Sequence, residues 1–254
     1  MRILILALTE LRLMGWGMKR YFFNTGALVL VMYLVFLGMF WGVRAIAGGV
    51  VSGDSLDSMV VGYVLWLMAM MSIQGTGGEV MNESQTGTLE QLYLSPLGAD
   101  MIFLFRLING ILFNYIFVTI MLYLSMLTTG RMLTVNFPYF YGVLFLSILS
   151  LVGISFMMGG IGLIHKRIGS VYGILSFALI GMMLLPVYPF TPWALLPFVA
   201  GAHTVNSSTV HGTVFPAWWY MYVAANSLFY LVAGLLIFRV FERKAMRLNK
   251  MGQY

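Results

Sequence analysis

The distance between formal charges is the strongest constraint on how this chain can fold. Between Arg20 and Arg44 lie 23 residues without Asp, Glu, Lys or Arg, and between Asp57 and Glu79 lie 21. Arg106 and Arg131 enclose 24, Arg131 and Lys166 enclose 34, and Arg167 and Arg239 enclose 71. A bilayer core about 30 Å thick takes roughly 20 apolar helical residues to cross. Each of the first three gaps therefore supplies one crossing. The fourth supplies another after a polar stretch that ends near Pro138. The fifth is too long for one helix and fits two with a connection between them, marked by five of the seven prolines, from Pro186 to Pro216. The sequence thus predicts an all-α integral membrane protein forming a single transmembrane domain over 1–254. Its six transmembrane helices fall at about 21–43, 58–78, 103–129, 138–164, 169–189 and 217–239.

Composition agrees with this reading. The chain is 61% hydrophobic and 9% charged, against roughly 25% charged residues in ordinary soluble domains. The net charge of +6 does not indicate nucleic acid, because the basic residues are sparse and separated by long apolar runs. They sort by side instead. With six spans both termini share a side, and Arg2, Arg12, Lys19, Arg20, Arg106, Lys166, Arg167, Arg239, Arg243, Lys244, Arg247 and Lys250 fall on it, leaving only Arg44 and Arg131 opposite. By the positive-inside rule both termini are cytoplasmic, in a multi-pass protein of the cell (cytoplasmic or inner) membrane. Residues 1–20 do not read as a cleaved signal peptide, since Glu10 and Arg12 interrupt a short apolar core and no small-residue cleavage site comes after it. Their polar residues Arg2, Thr9, Arg12, Lys19 and Arg20 share an arc of about 100°, which describes an in-plane amphipathic helix; the plainer alternative is a lead-in to the first span. Gly38/Gly42, Ser155/Gly159 and Gly169/Gly173 have the four-residue spacing of close helix packing sites.

No catalytic constellation is present. The chain has no cysteine, no G-x-x-x-x-G-K-[ST] loop, no G-x-S-x-G elbow and no H-E-x-x-H helix. No cofactor or metal is expected on it. His203 and His211 share a polar stretch with Asn206, Ser207 and Ser208, and two imidazoles alone make a poor metal site. The charges nearest the spans, Glu79 and Arg106, read as span-end groups that reach water, while the polar groups within spans are neutral. Gln74, Asn109, Asn114, Thr119 and Asn226 are the candidate lining of a translocation path. A proton-coupled carrier would need ionisable groups at depth, so energy for transport should enter from outside the spans.

The segment 79–100, EVMNESQTGTLEQLYLSPLGAD, carries four acidic residues and no basic one on a side that is otherwise basic. Thr88 and Gln91 have capping-box spacing, Gly87 loosens the chain before them, and Pro96 stops the helix they start. A short helix from Leu89 to about Ser95 is predicted, with Leu89, Leu92 and Tyr93 on one apolar face and Glu90 and Gln91 turned away. That face either lies on lipid or fills a groove on a partner.

Here the sequence resembles the permeases of type-2 ATP-binding cassette exporters, whose second and third spans are joined by a loop of the form E-x-x-x-G-T-L-E-x-L-x-x-[ST]-P. Glu83, Gly87, Thr88, Leu89, Glu90, Leu92, Ser95 and Pro96 supply the pattern. As a motif the resemblance covers about fifteen residues; as architecture it covers the whole chain. It implies that residues 79–100 hold a cytoplasmic coupling helix that inserts into a separate ATPase subunit, with Glu83, Thr86, Gly87, Thr88, Leu89, Glu90, Gln91, Leu92, Tyr93 and Pro96 as the coupling segment. It also implies two copies of that ATPase, which would bind ATP and Mg, and a second permease, identical or homologous, across the path. The 186–216 connection would form an extracellular or re-entrant cap shaped by Pro192, Trp193 and Pro197. There the chain keeps only Thr191-Pro192-Trp193 and lacks the P-P-W-L and N-P pattern of many drug and polysaccharide exporters. Membrane lipid is the surrounding partner and nucleic acid is not one. The rival classes are a membrane-embedded enzyme, which needs clustered acid, base or metal ligands, and a channel or secondary carrier, which needs corresponding broken helices in two halves.

Overall fold

The computed structural model describes residues 2–46, 53–95, 98–165 and 168–248. Pro96, Lys166, Arg167 and Lys250 lie outside the described residues, as do the side chains of Arg2 and Glu90. Among the described residues the chain is all-helical, with no strand. In order it forms α1 (Arg2–Arg20), α2 (Phe22–Ile46), α3 (Gly53–Thr86), α4 (Leu89–Tyr93), α5 (Gly98–Thr129), α6 (Phe137–His165), α7 (Gly169–Met183), α8 (Val199–His211) and α9 (Ala217–Arg247), with a 3-10 turn at Pro192–Leu195 before α8. Helices α2, α3, α5, α6 and α9 are each long and apolar enough to cross a membrane.

Three sequence expectations change. The fifth predicted span, 169–189, is helical only to Met183; fifteen residues reach about 22 Å, less than a full bilayer core. The connection 186–216 is not irregular throughout, because α8 occupies thirteen residues of it. And the loop expected from residue 79 is helix as far as Thr86, since α3 continues past the predicted span end. Helix α3 is also broken internally at Gly75, where ψ is −112°. A glycine tolerates this backbone, and the break lies on the wall of a cavity between α2, α3 and α5.

The core is built by backbones that approach closely. A Cβ on Gly153 of α6 would lie 2.2 Å from the Tyr230 carbonyl oxygen of α9, and one on Gly234 would lie 2.0 Å from that of Gly153. On the other side of α6, Gly159 and Ser155 meet Gly77 of α3, and the Gly77 amide donates to Ser155 Oγ at 2.9 Å. Lipid offers apolar surface no penalty, so such van der Waals contact is what holds membrane helices together. Of the three small-residue pairs noted in the sequence, only Ser155/Gly159 packs within the chain. Gly38, Gly42, Gly169 and Gly173 face open space.

Several buried hydroxyls are satisfied locally, while those of Thr76, Ser84 and Tyr172 have no hydrogen-bond partner among the described residues. Ser72, Ser147 and Thr204 each donate to the carbonyl four residues back, at 2.7 Å, the arrangement by which Ser and Thr live inside apolar helices. At the end of the bundle that carries α8, Arg131 pairs with Asp57 at 2.7 Å, linking the C-terminal end of α5 to α3.

The segment between α7 and α9 turns back into the bundle. Leu195 presents its carbonyl to Asn226 Nδ2 at 3.1 Å and to the Tyr230 hydroxyl at 3.1 Å. Those residues lie nine and thirteen positions into α9, roughly 14 and 20 Å along its axis. From there α8 returns against α3, α6 and the start of α9. Its Gly201 sits against Ser147, Thr204 accepts from Trp219 Nε1 at 2.7 Å, and Ser208 bonds the Tyr139 hydroxyl at 2.8 Å.

Candidate functional site

Chain reversal after α3 depends on glycine. Gly87 has φ +74° and Gly98 has φ +75°, a left-handed backbone that L side chains resist. Gly87 is thus a fixed turn rather than a loosened link. The two bracket α4, which stands between α3 and α5.

The capping box does not form. Thr88 instead directs its hydroxyl back to the Glu83 carboxylate, and its carbonyl accepts from the amides of Gln91 and Leu92 at 3.1 and 3.3 Å. Thr86 joins the same turn through its hydroxyl, 2.8 Å from that of Thr88. Glu83 in turn accepts from Arg106 Nη1 at 2.6 Å, and Arg106 Nε reaches Glu10 at 3.4 Å. Four elements, α1, α3, the turn before α4 and α5, are therefore tied at one guanidinium.

The apolar face of α4 is turned inward. Leu89 is fully buried, and Leu92 and Tyr93 are half-buried, packed with Val80, Ala99, Phe103, Phe238 and Ala245 of α3, α5 and α9. Tyr93 donates its hydroxyl to Glu242 of α9, which also accepts from Arg239 at 3.2 Å; Arg239 reaches Asp100 at 2.8 Å. Burial and the neighbouring Glu242 carboxylate push the Tyr93 phenol well above its ordinary value, so it stays a donor. The face expected to meet lipid or a partner is consumed by the chain itself. Among the described side chains, what α4 and the turn after it expose is Gln91 and Leu94, the latter 84% accessible.

Two cavities adjoin this network. One of about 590 Å³ opens between α1, α2, α3 and α5, with Glu10, Asn24, Asn82 and Asn109 on its wall. The second, of about 550 Å³, lies between α2, α3 and α5 beside the Gly75 break, lined by Met32, Met70, Met71, Gln74 and Asn114. They share Glu79, Arg106, Gly110 and Phe113. Of the residues expected along a path, the structure thus gathers Gln74, Asn109 and Asn114. Thr119 lies elsewhere, donating to the Tyr115 carbonyl at 2.6 Å and bonded to the Tyr141 hydroxyl, and Asn226 holds the Leu195 carbonyl. Pro192 and Trp193 are exposed on the returning segment and Pro197 is half-buried.

Glu79 and Arg106 stand where α3 and α5 run on past the expected span ends. Each lies seven or eight residues inside its helix, about 10 to 12 Å from the end, and one Glu79 carboxylate oxygen is buried without a hydrogen-bond partner. Sequence reasoning overlooks Glu10, although it is the sole acid of α1 and Arg106 the sole base of α5. A lone acid on an otherwise basic helix and a lone base on a largely apolar one are a signal for pairing. Among the described residues no group of three or more His, Asp or Glu could hold a metal ion.

Compared with known proteins, the chain matches no family model and no curated protein significantly.

Proposed function

We propose that this chain is the membrane-spanning permease subunit of an ATP-binding cassette exporter of the type-2 class. The reading rests on one observation above all. The motif begins at Glu83 in the last turn of α3 and runs to Ser95, between two helices long enough to cross a membrane, and its middle, Leu89–Tyr93, forms a short separate helix, α4. A helix of that kind at a bundle end is a handle by which a second protein can move the spans on either side. Leu94 and Gln91 are the surface such a partner meets, while Leu89, Leu92 and Tyr93 transmit the push, because they pack on α5 and α9.

In this proposal α7 is a short sixth crossing and both termini are cytoplasmic, with α1 in the membrane plane. Two permeases, alike or homologous, pair around the path, and two ATPase subunits carry ATP and Mg. This chain itself performs no hydrolysis. Its returning segment, from Leu184 to His211, is the outer cap. The transport is export of lipid-like, peptide-like or drug-like cargo by alternating access.

The break in α3 at Gly75 beside Glu79 favours a second reading, an ion-coupled carrier. That class needs a corresponding break in another helix, and no other long helix among the described residues has one. The deciding experiment is capture of the tagged chain from native membranes in mild detergent. Co-elution of a nucleotide-hydrolysing subunit that is lost on Leu94→Asp supports the permease. Normal membrane yield with no such subunit in the wild-type sample rejects it.

A further inference from the structure

The two adjoining cavities between α1, α2, α3 and α5 have a charge imbalance where they meet. Three carboxylates, Glu10, Glu79 and Glu83, meet one guanidinium, Arg106. Arg106 is already engaged by Glu83 at 2.6 Å and Glu10 at 3.4 Å. Glu79, at the junction of the two cavities, feels the same guanidinium only at longer range, and among the described residues one of its buried oxygens has no hydrogen-bond partner. An uncompensated carboxylate withdrawn from water is costly unless a cation reaches it.

Beyond Glu79 the wall changes character. Met32, Met70, Met71 and Phe113 line the inner cavity, and methionine side chains adapt to irregular apolar ligands. Gly110, on the wall of both cavities, has open space where a Cβ would be, so no side chain of its own stands between them. A charged mouth leading to an adaptable apolar interior matches a molecule with a cationic head and a hydrocarbon tail.

We propose that these adjoining cavities bind a cationic amphiphile, with Glu79 as counter-ion to its ammonium group and the methionine-lined interior receiving its tail. Either a lipid with an ammonium headgroup or a soluble alkylamine offers that chemistry. The site belongs to the isolated chain and does not depend on coupling to an ATPase.

The test uses the full chain in dodecyl maltoside, a detergent without charge, with radiolabelled dodecylamine at pH 7 as probe. Saturable binding is expected, not displaced by dodecanol, which has the same tail and no charge. Glu79→Gln should weaken it by about tenfold or more, as loss of a charge-assisted contact does. Gly110→Leu should block it by placing a side chain between the two cavities, and leucine favours a helix over glycine. Asp54→Asn, on an exposed carboxylate remote from both cavities, should bind as wild type. Thermal unfolding and monodisperse elution establish that each variant is folded. Should Glu79→Gln fail to fold, Gly110→Leu alone carries the test. Competition by phosphatidylethanolamine identifies a lipid as the source of the ammonium group and its failure a soluble amphiphile, and both support the site. Equal displacement by dodecanol, non-saturable uptake, or unchanged affinity in a folded Glu79→Gln or Gly110→Leu protein overturns it.

Discussion

Tyr93, in the five-residue helix α4, donates its hydroxyl to Glu242 near the end of α9, across 149 positions of sequence. The bond ties the motif segment to the last long helix, and Glu242 is 3% exposed. Removing the donor leaves a buried carboxylate with Arg239 alone. Tyr93→Phe, which keeps the ring, should lower stability by about 1–3 kcal/mol, read as a lower midpoint of thermal unfolding in detergent. An unchanged midpoint means that water replaces the hydroxyl.

The inward packing of α4 alters what a substitution at its apolar face reports. Leu92→Asp places a charge in the cluster with Val80, Phe103 and Phe238 and should reduce folded yield, by several kcal/mol on the order expected for an unpaired charge in an apolar site. Leu94→Asp, at an 84% exposed position, should leave the unfolding midpoint alone and reduce recovery of the ATPase subunit. If Leu94→Asp retains that subunit in full, α4 is not the docking element.

Arg106 joins Glu83 at 2.6 Å and Glu10 at 3.4 Å, and all three are partly shielded from solvent. Glu83→Gln should cost about 1–3 kcal/mol, because it weakens the pairs with both Arg106 and Thr88. Glu10→Gln should cost less, given its longer contact. A double-mutant cycle between Glu83 and Arg106 should give a coupling of about 1 kcal/mol or more; additive effects would show that the pair contributes nothing.

Glycine contacts make opposite predictions on two surfaces. Gly153→Ala and Gly234→Ala drive a Cβ into backbone at about 2 Å and should separate α6 from α9, costing about 1–3 kcal/mol. Gly38→Ala and Gly169→Ala meet nothing within 4 Å and should stabilise the isolated chain by up to about 1 kcal/mol. If either instead lowers the dimer fraction in crosslinking, that glycine packs on a second copy.

Topology is open to labelling because the chain has no cysteine. Val214 and Leu248 are exposed at opposite ends of α9. Cysteine at Val214 should react with an impermeant reagent in intact cells, and cysteine at Leu248 only after permeabilisation. The reverse pattern inverts the orientation.

The linear sequence located the five helices long and apolar enough to cross a membrane, because a run of twenty uncharged residues has one inexpensive environment and one backbone structure within it, but it did not foresee that α7 stops at Met183. It also located α4, through Gly87 and the spacing of Leu89, Leu92 and Tyr93. Which way that face turns was beyond it. Periodicity states that Leu89 and Leu92 share a side, and whether Phe103, Phe238 or a second protein covers them is a long-range packing matter. The same holds for the charges. Spacing placed Glu79 and Arg106 near the ends of their spans, but it gave no sign that α3 runs on to Thr86 and that α5 begins at Gly98, so that Glu10 and Glu83 converge on Arg106. Prolines announced an irregular segment before α9, but its return into the bundle depends on Asn226 and Tyr230 reaching one carbonyl of Leu195. Local sequence fixes what a helix can bury; only the assembled bundle decides against which neighbour it buries it, since that choice is made by close backbone contacts such as Gly153 with Gly234, 81 positions apart.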